Sequence, residues 1–392
     1  MKVALVGYEA NIKNRVGSNQ YAFELIKAIY QIDKKNHYLI YLPSPPLPDL
    51  PKERKNWQYQ VVGPRKLWNI FGLPRALFQQ KPRPDVVFNP GHYSPLFFPT
   101  PLVISIMDLG YLRFPQHFTK PIYWKLKFWT GLSIKRAKHI FAISESTKND
   151  IIAYYTSRRR SLIKYCRISP NKITVTYPGY DRKRFSDQQS VTSIQEVKKK
   201  YRVKGDYILF LGTLKPNKNI EGLLEALKLV VSDLWLVIRK KKPATSHQSL
   251  ITLVIAGRKG WLYQRIFEKV KELGLEKEVI FTGFVDDGDV SALMKGAKVF
   301  VMPSFWEGFG IPLIEAMGCG TPVVVSNAGS LPEIVGNAGV VVDPHQPKEI
   351  ARGIEKAINN RDDLIKKGLK QAQKFSWQKC ARETIKVLER IR

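Results

Sequence analysis

The feature that most restricts the fold is an alternation repeated along the whole chain: short apolar runs that end at glycine or polar turns, separated by stretches with helical periodicity. The runs lie at 2–7, 37–42, 85–88, 102–106 and 139–143, and a helix pattern carrying Tyr21, Leu25, Ala28 and Ile29 on one side opens near Ser18. Apolar on both faces and spaced by helices, such runs predict a parallel sheet covered on both sides. The same grammar restarts at 207–211 and continues through 253–256, 279–282, 299–302, 322–326 and 339–342.

A chain of 392 residues is too long for one ordinary core. The expectation is an α/β protein of two Rossmann-like domains, residues 1–178 and 205–376. A charged, Ser- and Gln-rich linker, 179–204, would join them. A final helix near 377–392, with Ile385, Val387, Leu388 and Ile391 apolar, could pack back on the first domain.

With 44% hydrophobic and 11% aromatic residues, the chain is globular rather than disordered. Its net charge of +31 would attract nucleic acid, anionic lipid or phosphorylated substrates. The basic residues are dispersed and no nucleic-acid-reading motif is present, so no specific nucleic acid is expected. Residues 1–178 hold 28 basic and 9 acidic side chains, so the excess leans toward the first half.

Cys166, Cys319 and Cys380 are odd in number and far apart, giving neither a disulfide framework nor a metal-ligand spacing. The opening run is too short for a signal peptide, and no run reaches the length of a membrane span. A cytoplasmic protein is expected, with docking at the inner face of the cell membrane left open. Residues 120–138 read either as a packed helix with a basic edge or as a membrane-facing amphipathic element; Arg158, Arg159 and Arg160 could add contact with anionic headgroups. Residues 239–248 read as a basic surface loop.

The chemistry concentrates in 301–323, Val-Met-Pro-Ser-Phe-Trp-Glu-Gly-Phe-Gly-Ile-Pro-Leu-Ile-Glu-Ala-Met-Gly-Cys-Gly-Thr-Pro-Val: strand, glycine loop, helix, glycine turn and strand. Pro312 suits a first helical turn. Glu307 therefore lies in the loop facing the helix start, and Glu315 one turn inside. Gly308 and Gly310 allow backbone N–H groups to approach an anion where the helix dipole also favours negative charge. A diphosphate fits there, outside the carboxyl ends of parallel strands. Taken alone, two glutamates near a helix end are more often solvated surface groups; the glycines, strand and helix start around them reverse that expectation toward ligand binding.

This segment closely resembles the family 4 glycosyltransferases, whose signature is two glutamates separated by seven intervening residues around a Gly-Phe-Gly loop, matched here by Glu307 and Glu315. Gly-Cys-Gly-Thr-Pro-Val and Ser330-Leu-Pro-Glu-Ile-Val-Gly are also similar to the family. The resemblance implies the GT-B architecture, two Rossmann-like domains facing a central cleft, with a retaining outcome and no required metal. It implies that Glu307 contacts the donor sugar and Glu315 the ribose, with Phe309 and Ile311 among the donor-loop residues. In Tyr207-Ile-Leu-Phe-Leu-Gly-Thr-Leu-Lys-Pro-Asn-Lys-Asn, the position of Lys218 matches the family's phosphate-binding lysine. Thr213 stands near where many relatives carry an arginine; Arg258 or Lys215 could compensate. Gly283, Phe284 and Val285 resemble the place where backbone reads the nucleotide base.

In the first half, Arg15-Val-Gly-Ser-Asn-Gln-Tyr resembles a glycine loop at the donor phosphate, with Gly17 giving close approach. Ile104-Ser-Ile-Met-Asp-Leu-Gly resembles a strand end that often carries His-Asp, although Met107 precedes Asp108 here. Asp108, assigned a catalytic role, or His92 in Asn89-Pro-Gly-His-Tyr would occupy the acceptor side, and Ser144 could join them; Asp108 reads equally as a helix cap.

The expected activity is hexose transfer, mannose or glucose type, from GDP-mannose or a UDP-hexose to a glycan or lipid-linked acceptor in surface polysaccharide synthesis. Glu307, Lys218 and Asp108 would be the catalytic set. The rivals are a non-catalytic nucleotide-sugar or glycan-binding relative, a nucleotide-sugar epimerase or phosphorylase, and a basic nucleic-acid-binding protein.

Overall fold

The structure, a computed structural model, describes residues 1–156, 168–186, 193–241 and 251–391. Cys166, the arginines at 158–160, residues 187–192 of the expected linker and most of the expected basic loop, 242–248, lie outside the described residues.

The described residues divide into two compact units: Met1–Pro115 with Lys120–Gly179 and Ser376–Arg392, and Gln116–Thr119 with Tyr180–Phe375. The first is built on seven strands, β1 (Lys2–Val6), β2 (His37–Leu42), β3 (Trp57–Val61), β4 (Val86–Asn89), β5 (Leu102–Ile106), β6 (His139–Ala142) and β7 (Ile173–Val175), in the order 3-2-1-4-5-6-7. All pairings are parallel. The chain leaves β1 toward β3 and returns on its other side at β4, so the strand order reverses between β1 and β4, where such sheets open a crevice.

Central strands of a sheet covered on both faces bury every side chain. Val3, Ala4, Leu5, Val86, Val87 and Phe88 accordingly have no exposed surface. β3 and β7 escaped the sequence reading for local reasons. Trp-Gln-Tyr-Gln-Val alternates with polar residues, as an edge strand does, and Ile-Thr-Val is only three residues long.

The helix Trp377–Ile391 belongs to the first unit and packs along the helix Ser18–Ile32. Trp377 and Tyr21 meet edge to face with centroids 5.8 Å apart. Gly179 is required beneath this joint, because a Cβ there would collide with the Trp377 backbone. Next to the same helix pair, the buried Asp33 carboxylate accepts from the Asn36 amide at 2.7 Å and from the Tyr38 hydroxyl at 2.7 Å, while Asn36 also donates to Glu389 at 3.1 Å.

The second unit holds β8 (Tyr207–Leu211), β9 (Thr252–Ala256), β10 (Val279–Gly283), β11 (Val299–Met302), β12 (Val323–Ser326) and β13 (Val340–Val342), again all parallel, in the order 10-9-8-11-12-13. Its reversal falls between β8 and β11. Much of the expected linker is helical rather than loose. A capping box in which Ser193 and Glu196 satisfy each other's backbone N–H starts the helix Ile194–Lys200. Lys200 at its end bridges Asp286 and Asp289 at 2.7 and 2.6 Å. Residues 239–241, expected in a loop, instead end the helix Ile220–Lys241.

Candidate functional site

At the carboxyl ends of β8 and β11 two loops are stitched together. Phe305 N donates to the Asn217 carbonyl at 2.9 Å, and Asn219, in a left-handed conformation with φ +54°, sends its buried amide to the carbonyls of Pro303 at 3.1 Å and Pro344 at 2.6 Å. This fixes the short 3-10 turn Pro216–Lys218 against the loop after β11. Lys218 Nζ lies 2.5 Å from Glu307 Oε1, which also accepts from Ser304 Oγ at 2.6 Å. Both charged side chains are largely removed from water, at 15% and 12% exposure. A pair desolvated to this degree is poor evidence of stabilisation, since Coulomb attraction must first offset the lost hydration.

The backbone of Glu307 is as firmly held as its carboxylate. Its carbonyl accepts from Ser330 N at 3.1 Å and Ser330 Oγ at 3.2 Å, and Ser326 Oγ secures the Ser304 carbonyl at 2.5 Å. Gly329 makes this approach feasible: its φ is +61°, and a Cβ would collide with the Glu307 carbonyl. Asn219, Ser304, Ser330 and Gly329 were not singled out as site residues from sequence. Their role is to hold Glu307 and Lys218, and no spacing pattern announces such a task.

Gly308 and Phe309 are buried, and Gly310, at φ +90°, leads into the helix Ile311–Gly318, which has no side-chain N-cap and carries Pro312 in its first turn. The helix start thus presents backbone donors. Phe309 packs edge to face on Phe375 at 5.5 Å, so this residue offers its backbone rather than its ring. Glu315 lies one turn inside the helix, partly buried. Beyond β9, Arg258 is exposed; its carbonyl accepts from Leu214 N at 3.0 Å, which sets it beside the Thr213 turn. Lys215 instead rests its ammonium over the Trp261 ring at 4.9 Å. At the end of β10, Gly283 (φ +70°) and Phe284 are exposed while Val285 is buried.

The remaining sequence candidates are in the first unit. Gly17, φ +55° and exposed, is the N-cap of the helix Ser18–Ile32. Asp108 Oδ1 accepts from Gly110 N at 2.8 Å, a local bond two residues along the chain; the N-cap of the short helix Gly110–Arg113 is Leu109, without a side-chain cap. Met107 is buried and its carbonyl accepts from Thr147 Oγ1 at 3.0 Å, so its side chain belongs to the core. Ser144 is fully buried and caps the helix Glu145–Thr156 by accepting from Thr147 N at 3.0 Å, which removes it from any cleft.

Burial pushes the His92 imidazole toward its neutral form, with the Asp108 carboxylate opposing. Burial likewise raises the Glu9 carboxyl against the opposing effects of Ser18, Lys125 and Asn19. Among the described residues no group of three His, Cys, Asp or Glu could hold a metal ion, and no helix is long and apolar enough to cross a membrane.

Comparison with known proteins gives the family. Residues 193–375 match the family described as glycosyl transferases group 1, and residues 17–184 match glycosyltransferase family 4. The O-antigen chain mannosyltransferase B of Escherichia coli is 31% identical over 287 residues, spanning 72% of this chain and 68% of that protein. The serotype-specific mannosyltransferase WbdA of Escherichia coli is 32% identical over 262 residues, 66% of this chain but only 29% of the longer WbdA. Among solved structures, Anabaena Alr3699/HepE in complex with UDP and glucose superposes with a TM-score of 0.70 at 18% identity, covering 99% of both chains, a likeness of fold. With two Rossmann-like domains of parallel strands and these matches across both halves, the chain belongs to the group 1, family 4 glycosyltransferases of GT-B architecture.

Proposed function

We propose that this glycosyltransferase moves a hexose, of mannose or glucose type, from GDP-mannose or a UDP-hexose to a hydroxyl of a glycan or lipid-linked acceptor, with retention, during surface polysaccharide assembly. The observation that carries the reading is the Lys218–Glu307 pair held at a helix start. Arrival of the donor exchanges the partners: the ammonium turns to the diphosphate, and the freed carboxylate takes hydroxyls of the sugar. The backbone at 308–311 and Arg258 share the phosphate charge, Glu315 holds the ribose, and residues 283–285 meet the base. Helix start and cations then stabilise the leaving diphosphate without a metal. The anomeric carbon–phosphate oxygen bond breaks, a bond forms to the acceptor oxygen, and the acceptor proton passes to the departing phosphate. The printed names of the relatives, mannosyltransferases of O-antigen, favour mannose and a polysaccharide.

The first unit supplies the acceptor side, with Asp108 at a strand end. Trp124 and Phe128, on one side of the helix Lys120–Arg136, are 59% and 63% exposed, and Lys127 lies 4.7 Å from the Trp124 ring centre. Exposed aromatic rings beside lysines suit the interface of an anionic membrane, at the cytoplasmic face where a lipid-linked acceptor would be met.

The test is incubation of the full chain with GDP-mannose, UDP-glucose and UDP-galactose, each with octyl hexosides as acceptors, and assignment of the product anomer by NMR. An α-linked product from an α-linked donor is expected. A β-linked product would overturn retention, and no product with any pair would overturn the transferase assignment of this site.

A further inference from the structure

The first unit contains a polar cluster at its own strand reversal. Glu9 follows β1, His92 follows β4, and Asp108 follows β5, three neighbouring strands whose carboxyl ends meet where the order turns. Gly91 brings the β4 loop against Glu9 so closely that a Cβ there would sit 3.2 Å from Glu9 Cγ. Glu9 Oε2 accepts from the Asn19 amide and, at 3.5 Å, from Ser18 Oγ; its other oxygen has no hydrogen bond among the described residues. Lys125 stands 5.3 Å from the Tyr93 ring centre and acts electrostatically on Glu9.

His92 is the unusual member. Its Nδ1 is buried and has no partner among the described residues, while the residue as a whole is partly exposed. A buried orphan polar atom costs about 1–3 kcal/mol and calls for a reason. The other histidines of this unit that belong to strands sit at opposite, amino ends: His37 opens β2, and His139 opens β6 with its Nε2 2.9 Å from Thr174 Oγ1. His92 alone among the described histidines of this unit lies past a carboxyl end, where parallel sheets receive ligands.

A neutral imidazole, a carboxylate with one free oxygen, an amide and a tyrosine ring form a set matched to sugar hydroxyls, which both donate and accept. We propose that His92 and Glu9 are the hydroxyl-binding pair for the acceptor sugar, an inference that rests on the transferase reading above. His92 gives or takes a hydrogen bond at one acceptor hydroxyl, and Glu9 accepts from a neighbouring one. Asn19 and Ser18 keep the Glu9 carboxylate aimed, and the orphan atom is the cost of holding the ring in place.

The experiment compares wild type with His92→Ala, His92→Gln and Glu9→Gln, using octyl α-mannoside as acceptor and the donor that wild type turns over. Three quantities are read: acceptor KM and kcat, calorimetric donor Kd, and donor hydrolysis without acceptor. His92→Ala should raise acceptor KM about tenfold, the worth of roughly one hydrogen bond. Glu9→Gln should raise it as much or more, and His92→Gln should recover most of the loss. Donor Kd and hydrolysis should stay within about twofold throughout, which also reports an intact fold. An unchanged acceptor KM in an active enzyme, or a parallel loss of donor affinity, would overturn the pair while leaving the transferase reading standing. A wild type that neither binds nor hydrolyses any donor would overturn both.

Discussion

The two sheets end in the same way and hold their polar groups differently. Beyond β8 and β11, Glu307 is fixed by Lys218, Ser304 and Ser330, and Asn219 ties the two loops together with both of its amide hydrogens. Beyond β1, β4 and β5, one Glu9 oxygen and the buried His92 Nδ1 have no partner among the described residues. The difference matches the task proposed for each end. A site for a diphosphate can neutralise itself internally and exchange one anion for another, so it can be complete before its ligand arrives. On the reading proposed above, hydroxyl recognition needs acceptors left open, as the second Glu9 oxygen is among the described residues, while the buried His92 Nδ1 is the cost of placing its ring.

The comparison breaks most visibly at Glu307. Glu307→Ala removes the group proposed to meet the sugar but leaves Lys218 and the helix start for the phosphates, so kcat should fall about 100- to 1,000-fold, the scale of losing one pre-organised electrostatic contact, with donor Kd changed far less. Rates measured under single turnover would check it; near-normal turnover would remove Glu307 from the chemistry.

Next in size is Arg258. Thr213 is uncharged in the turn before Lys218, and the exposed Arg258 is held by its backbone, through Leu214 N, in the neighbouring loop. Arg258→Ala should weaken donor binding about tenfold, near 1.4 kcal/mol for a solvent-accessible contact to phosphate. Adding Thr213→Arg to that variant should restore most of the affinity, and failure of both changes would show that Lys218 and the helix start suffice.

The smallest effect concerns the first unit's frame. Burial alone would raise the Asp33 carboxyl, but hydrogen bonds from Tyr38, Asn36 and Lys35 outweigh it and hold it below the usual carboxylate range. A group depressed in the folded state contributes stability above its unfolded pKa, near 3.9, and loses it as pH falls through the folded value. Asp33→Asn should therefore cost about 1 kcal/mol in urea unfolding at pH 7, and the gap from wild type should narrow below about pH 4. A gap that stayed constant with pH would contradict the charged role of Asp33.

Much of this was legible in sequence because it rests on period and composition. Apolar runs announced eleven of the thirteen strands, and glycine with proline around 308–312 announced a loop entering a helix. The pairing of Lys218 with Glu307 was not legible, because it depends on β8 and β11 being neighbours across 89 residues of chain. Ser144 looked like a candidate because serine at a strand end is chemically ambiguous; its depth and its bond to Thr147 N make it a cap. Phe309 stood inside the motif, yet its ring is part of the core. Side-chain direction at a glycine-rich turn is set by backbone geometry that residue types leave open.

The most direct measurement is calorimetric titration of wild type, Glu315→Ala and Lys218→Ala with a panel of nucleoside diphosphate sugars. Selective binding of one donor by wild type, weakened at least about tenfold in each variant, is the predicted result. Equal affinity in all three proteins, or no binding of any donor, would contradict the assignment of the β8 and β11 loops as the donor site.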